Sequence, residues 1–412
     1  MLGRAQEQQV AMKDFVHSKR WAPLIEEFGT PLVVTDLDVV RSQCRAMIQA
    51  FPYARLLYSM KANYNPHVVR AIAAEGFGID AVSPYEVLLA RRLGSAPEDI
   101  FYVENNMTDA EMREAVAGGV RLIIGSLTRL ERFCAEFPGR AVGIRINGDV
   151  GGSQHEKAFT AGPASKFGIH YTQLGDALRI AQAANVRIET LHQHIGSGWL
   201  DQEVYLEAAD ILVRESARFP DLRCLDFGGG FGVTYGSDEH ALDLEHIGVQ
   251  LGKRVKKARS DRGSELEIAL EPGRYLVAES AVLLTRVNTK KLGSDGRLFL
   301  GLDTGFNHIV RPALYGAYHE IINASIRRNA EEYYDVCGNI CESTDFFARQ
   351  RLLPETKEGD VIAIMNVGAY GLAMASNYNV RPLPAEVVLD HGKPHLSRRR
   401  QTLDDVLNSF EL

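Results

Sequence analysis

The sequence predicts an α/β fold: a (β/α)8 barrel followed by a second, mostly β domain. Three observations lead there. Short aliphatic or β-branched runs alternate with stretches of helical period as far as Glu271. Eight such alternations occupy about 240 residues, the size of one barrel. Beyond Glu271 the strand-like runs continue with few helices between them. A doubly wound open sheet shows the same alternation, and periodicity alone does not separate the two.

The eight expected barrel strands are Leu56–Met60, Gly78–Val82, Ile100–Val103, Leu122–Ile124, Val142–Ile146, Ile188–His194, Arg223–Phe227 and Leu266–Glu271. Helical patterns lie between them at Pro66–Glu75, Tyr85–Leu93, Asp109–Ala117 and Glu203–Arg218. Later strands are expected at Leu276–Val287, Leu298–Asp303, Val361–Asn366 and Glu386–Leu389, with a turn at Ser294-Asp295-Gly296. The expected division is residues 30–280 for the barrel, and 1–29 plus 281–412 for the β-rich domain.

Composition excludes several function classes. Apolar residues make up 45% and charged residues 24% of the 412, as in an ordinary globular protein. A formal charge of -7 without a long basic run argues against a nucleic-acid surface and an anionic-membrane anchor. No apolar run approaches the roughly 18 residues that span a bilayer, and the N-terminus has no apolar signal segment. Cys44, Cys134, Cys224, Cys337 and Cys341 are odd in number and scattered, so a reducing, cytoplasmic compartment is expected.

Chemistry in such a barrel sits at the C-terminal ends of the strands. Lys61 follows the first expected strand, Asp80 lies in the second, Arg145 is near the end of the fifth and His194 ends the sixth. Gly228, Gly229 and Gly230 follow the seventh, and Glu271 ends the eighth. A lysine at a strand end is by default a surface lysine. In a confined site its ammonium loses solvation, its pKa falls, and the neutral amine can attack an aldehyde. The glycine run fails the dinucleotide fingerprint, because Val233 stands where a third glycine belongs. A phosphate cradle is the better reading, with a plain tight turn as its rival.

His192 and His194, two apart on a strand, share a face. A metal pair lacks a convincing third ligand, so no metal is expected; a hydrogen-bonded core histidine or a ring stacked on a flat cofactor remain, and Ser197 adds a hydroxyl donor. Glu271 and Arg274 form either a local ion pair or a split pair. In the split reading, Glu271 keeps a pyridine nitrogen protonated while Arg274 holds an anion. Arg311, Tyr315, Cys341, Glu342 and Tyr370 each have an ordinary explanation when taken singly.

Taken together, the segments YSMKAN, FGIDAVSPYE, HQHIGSG, DFGGGFG, EPGRYLVA, RPALYGAYHE, CESTD, GAYGLAMASNYN and SRRRQT run from about Gly29 to the C-terminus. In order and spacing they resemble the diaminopimelate decarboxylase family, within the fold-type III decarboxylases. The resemblance implies pyridoxal 5'-phosphate as cofactor and decarboxylation of meso-2,6-diaminopimelate to L-lysine, the last step of lysine biosynthesis. Lys61, His194 and Cys341 are the implied catalytic set: Lys61 bonds the cofactor aldehyde, His194 stacks on its ring and Cys341 gives a proton to the product. Glu271 pairs with the pyridine nitrogen, and Ser197, Gly228–Gly230 and Arg274 surround the phosphate. Asp80 and Arg145, by their place at the rim, and Tyr370 join the cofactor contacts. Arg274, Arg311, Tyr315, Glu342 and Tyr370 are implied to bind substrate. The Cys341 loop is implied to enter a neighbouring subunit's site, so a homodimer with shared active sites is expected.

Two residues depart from the family pattern. Asn339 stands where proline is usual, and Thr344 replaces a common glycine. Both lie in the Cys341 loop, which leaves other substrates open: D-ornithine, D-lysine, arginine or carboxynorspermidine. A non-catalytic cofactor-binding regulator is opposed by the intact Lys61 and Cys341, and a racemase by Glu271, since alanine racemases place an arginine there.

Overall fold

The computed structural model describes residues 4–152, 160–236 and 238–411. The first strand, β1 (Leu32–Asp36), precedes the barrel in the chain. The barrel is built from β2 (Arg55–Ser59), β3 (Gly78–Ala81), β4 (Ile100–Val103), β5 (Arg121–Ile124) and β6 (Ala141–Asn147). After a two-residue strand, β7 (Ile169–His170), it continues with β8 (Arg187–Gln193), β9 (Cys224–Gly229) and β10 (Glu267–Glu271). Neighbouring strands pair in parallel, β5 also pairs with β6 and β2 with β10, and the circuit closes. The open-sheet alternative is thereby removed. Residues such as Ile79, Phe101, Ile123 and Leu225 are fully buried, because the strands face the barrel interior on one side and the helices on the other.

The turns leading into the helices carry residues that satisfy free helix amides. Asn65 accepts from His67 N–H, Ser83 from Glu86 N–H, Ser126 from Arg129 N–H and Asp243 from His246 N–H. Thr108 and Glu111 cap one another reciprocally. Each such cap contributes about 1 kcal/mol and fixes where a strand hands over to a helix.

The remaining strands form a second sheet: β11 (Ala281–Leu292), β12 (Leu298–Leu302), β13 (Ile321–Asn323), β14 (Glu332–Cys337), β15 (Phe346–Leu353), β16 (Val361–Ile364), β17 (Ala385–Asp390) and β18 (Lys393–Arg398). β1 lies inside it, antiparallel to β11 and parallel to β17. Leu32–Asp36 therefore belongs to the second sheet, although the sequence reading started the barrel at residue 30. Leu276 is not in a strand either. Arg274–Val277 is a short helix and the strand begins only at Ala281, so Arg274 sits on a turn that faces back toward the barrel. Among the described residues, no helix is long and apolar enough to cross a membrane.

The second sheet docks one loop against the barrel rim. The N–H of Tyr370 donates to the carbonyl of Ala62 at 2.8 Å, and Asn63 Nδ2 donates to the carbonyl of Gly368 at 3.0 Å. A Cβ on Gly368 would overlap the Val277 carbonyl, so only glycine allows this approach. Tyr370 has φ of +56°, a backbone conformation that a bulky residue adopts only when its surroundings impose it.

Candidate active site

A cavity of about 530 Å³ opens where the C-terminal ends of the barrel strands meet the second sheet. Of the residues singled out from sequence, it is lined by Lys61, Asp80, Arg145, His194, Ser197, Glu271, Arg274, Arg311, Tyr315 and Tyr370. The chain's widely separated segments are thus brought to one place.

Lys61 sits in a single turn, Met60–Ala62, that ends β2, and its Nζ forms an ion pair with Asp80 Oδ2. Burial alone would push the ammonium pKa down, but Asp80 first, with Tyr370 and Glu271 after it, outweighs burial and raises it. The expected fall is therefore corrected: Lys61 is held charged by Asp80. The Asp80 pKa is raised as well, burial first and the charge of Glu271 second outweighing the pairing with Lys61. Ser59 Oγ lies 2.6 Å from Asp80 Oδ2 and 2.9 Å from the Glu271 carbonyl, tying the ends of β2, β3 and β10 together.

Glu271 is buried at the end of β10, and its Oε2 lies 3.0 Å from His192 Nε2. Burial would raise its pKa; His192, then Lys61 and His194, reverse that and lower it. The Asp226 carboxyl comes within 4.8 Å of both. Asp226 Oδ1 accepts the Gly228 N–H at 2.9 Å. Burial first, then the charge of Glu271, push the Asp226 pKa well above the carboxylate range. One carboxyl of the pair is thus a neutral acid and the other an anion. Glu271 lines the cavity, and its Oε1 is buried with no N–H donor among the described residues, an acceptor available to a ring nitrogen. This fits a pyridine nitrogen that must stay protonated.

His194 follows β8, and its Nδ1 accepts the Gly229 N–H at 3.3 Å. Burial, then Arg145, push its pKa well down, so the ring is neutral. The Arg145 guanidinium donates to the His194 carbonyl at 3.3 Å, lies 4.7 Å from the Phe167 ring centre, and is pushed down to about 10 by burial. The glycine run also has a packing role. A Cβ at Gly228, Gly229 or Gly230 would overlap the carbonyl of Gln193, Glu271 or Gly196. Glycine lets β9 wedge between the chain segments after β8 and β10, and the Gly229 amide is committed to His194.

Arg274 donates to Ser197 Oγ at 3.0 Å and to the Tyr235 hydroxyl at 2.9 Å. Arg311, 1% exposed, lies 4.5 Å from the Tyr235 ring centre and donates to His319 Nε2 at 2.9 Å. Neither arginine has a carboxylate partner among the described residues. Cys341 and Glu342, by contrast, are exposed and do not line the cavity of their own chain. Asn379 holds Cys341, while Tyr378 donates to Glu342 at 2.5 Å. The Asn339 N–H donates to the Thr304 carbonyl at 3.0 Å, a bond that proline at this position would lack.

Sequence reasoning passed over Tyr235, Asp226, His319 and Asn379. His192 was noticed only as half of a histidine pair, a metal ligand or a hydrogen-bonded core histidine. Except for His192, which also lines the cavity, each acts on another side chain rather than lining it, and nothing local in the sequence marks such a role.

Residues 37–278 match the pyridoxal binding domain of the pyridoxal-dependent decarboxylases. The chain is 41% identical over 396 residues to a diaminopimelate decarboxylase of Methanothermobacter thermautotrophicus, covering 93% of this chain and 92% of the relative. It is 36% identical to that of Escherichia coli strain K12, covering 92% and 94%. The crystal structure of the Helicobacter pylori diaminopimelate decarboxylase, complexed with L-lysine, superposes with a TM-score of 0.87 at 30% identity, covering 94% of this chain and 98% of that one. Similarity of this extent, carried on the same barrel and second sheet, establishes that the chain belongs to the diaminopimelate decarboxylase family.

Proposed function

We propose that this chain binds pyridoxal 5'-phosphate and removes one carboxylate of meso-2,6-diaminopimelate, giving L-lysine and CO2. The observation that carries the reading is the pair of buried arginines, Arg274 and Arg311, on the wall of the cavity that holds Lys61. Buried guanidinium groups without carboxylates call for anions. A phosphate and a second carboxylate remote from the reacting carbon supply them. L-Lysine, the ligand of the Helicobacter pylori relative, fits the same chemistry.

Pyridoxal phosphate, when bound, supplies an electron sink for the pair left by CO2. This chain's residues do the rest. Lys61 provides the amine that holds the aldehyde, and Asp80 holds the proton on Lys61 Nζ between turnovers. Glu271, kept anionic by His192, holds the proton on the ring nitrogen. Neutral His194 packs against the ring without adding a charge that would compete with that proton. Arg145 and Arg274 bind on the cofactor side, and Arg274, Arg311 and Tyr315 orient the substrate's distal carboxylate. Cys341 Sγ gives a proton to the α-carbon, and Glu342 reads the distal amine.

Cys341 and Glu342 do not line their own chain's cavity, so we read the working unit as a homodimer in which each copy completes the other's site. The barrel carries the cofactor and the β-rich part completes the substrate site. Five unpaired cysteines agree with a cytoplasmic setting.

The test is an absorbance scan with added pyridoxal phosphate, followed by assays for CO2 and L-lysine. A band near roughly 420 nm, attached to Lys61 after borohydride reduction and absent in Lys61→Ala, is expected together with L-lysine release. No band would refute the cofactor reading, and a band without turnover would refute the substrate.

A further inference from the structure

The site just described uses Arg311 but leaves unexplained how a fully buried guanidinium is aimed. Arg311 stands at the start of a five-residue helix, Arg311–Tyr315, which is too short to fix a long side chain by itself. His319, eight residues on and 0% exposed, meets it from behind. Its Nδ1 lies 2.8 Å from the Met365 carbonyl, which can only accept, so Nδ1 carries the ring proton. Nε2 is then a lone pair, and it receives Arg311 Nη1–H at 2.9 Å. The other terminal nitrogen, Nη2, is buried with no hydrogen-bond partner among the described residues.

Burial first, and then the charge of Arg311, push the His319 pKa down to about 3, so the ring stays an acceptor at any working pH. Tyr235 completes the frame. Its ring lies 4.5 Å from the Arg311 guanidinium carbon and meets the His319 ring edge-on at 5.3 Å, while its hydroxyl accepts from Arg274. Two like-charged groups are thereby held apart by one aromatic ring.

We infer that His319 is a positioning residue for substrate selection: it takes one edge of the Arg311 guanidinium and leaves Nη2 to the carboxylate remote from the reacting carbon. The inference rests on the proposed function, and specifically on Arg311 as the carboxylate group's partner. The Met365 carbonyl fixes the tautomer, the tautomer makes Nε2 an acceptor, and the acceptor sets which guanidinium edge is free.

The test uses two ligands of the cofactor-loaded enzyme. L-Lysine keeps the distal carboxylate, whereas 1,5-diaminopentane lacks it. Binding is read from perturbation of the cofactor absorbance, alongside kcat and KM for meso-diaminopimelate. His319→Phe keeps a ring against Tyr235 but has no acceptor. It should weaken L-lysine binding and raise KM about 10-fold, with kcat changed less than KM and diaminopentane binding within about twofold of the parent. His319→Gln, whose Oε1 falls near the Nε2 position, should recover most of the loss, and His319→Asn, too short to reach, should not. In an Arg311→Ala background His319→Phe should add nothing.

If Arg311→Ala weakens L-lysine strongly while His319→Phe leaves it unchanged, or if the two effects add, the inference fails and the proposed function stands. If Arg311→Ala is itself silent toward L-lysine, the carboxylate reading fails and this inference with it. Should His319→Phe not fold, the Gln and Asn variants decide the question by the same comparison.

Discussion

Asn379 grips Cys341 at two points: its Oδ1 accepts the Cys341 N–H at 3.1 Å, and its Nδ2 donates to the thiol sulfur at 3.1 Å. In its proposed role as proton donor, the Cys341 thiol needs a fixed direction, and an exposed loop supplies little by itself. Asp345 steadies the same loop from inside, accepting the Phe306 N–H at 2.7 Å and the Ile340 N–H at 2.8 Å.

Removing the Asn379 side chain should therefore lower turnover without unfolding the protein. Asn379 has φ of +57°, so glycine is the cleaner replacement, since alanine would add backbone strain. For Asn379→Gly we expect kcat to fall about 10-fold, with a change in stability below about 0.5 kcal/mol. Cys341 should also react faster with a small disulfide reagent. Steady-state kinetics, thermal unfolding and thiol titration check the three statements; unchanged kcat would show that the grip is irrelevant to catalysis.

The Asp226–Glu271 pair makes a prediction about pH. The Asp226 pKa is raised in the folded state, so the folded protein prefers the protonated form. The stability that this group contributes is complete below the unfolded value of about 3.9 and is lost as pH rises toward the folded value. Asparagine is neutral, keeps an acceptor for the Gly228 N–H, and has no such loss. Asp226→Asn should be more stable than the parent by about 1 kcal/mol at pH 8, with the gap closing toward pH 4. Unfolding midpoints of the two apoproteins across that range decide it, and a gap that widens on acidification would reverse the assignment of the proton.

Cys341 and Lys61 predict complementation. Lys61→Ala and Cys341→Ala should each be nearly inactive alone. Mixed in equal amounts and allowed to exchange subunits, half the dimers hold one intact site, so activity should return to about a quarter of the parent. No recovery after verified exchange would mean that the two residues do not serve one site across subunits.

The barrel was legible because its strands are continuous apolar runs punctuated by capping residues, and rim residues such as Lys61, Asp80 and Glu271 fall at predictable ends. The strand Leu32–Asp36 was missed because its partners, Leu284 and Ala385, are far away in sequence. The edge-type strands Phe346–Leu353 and Lys393–Arg398 were missed because their exposed polar residues carry no apolar period. At the site, residues that line the cavity, such as Lys61, His194 and Glu271, were picked out by chemical type and position. The expected fall in the Lys61 pKa was wrong because sequence shows burial but not the Asp80 carboxylate waiting beside the amine. Tyr235 and His319 stayed hidden because their role is to hold Arg274 and Arg311, a relation that exists only once the β-rich part has folded onto the barrel.

The central claim is that the site decarboxylates an amino acid bearing a second carboxylate. The most direct measurement compares kcat/KM for meso-diaminopimelate with that for D-lysine, which offers the same reacting centre and distal amine without the distal carboxylate. The buried pair Arg274 and Arg311 predicts a preference of at least about 1,000-fold for meso-diaminopimelate, because D-lysine leaves a buried guanidinium unpaired. Comparable values, or a preference for D-lysine, would contradict the account.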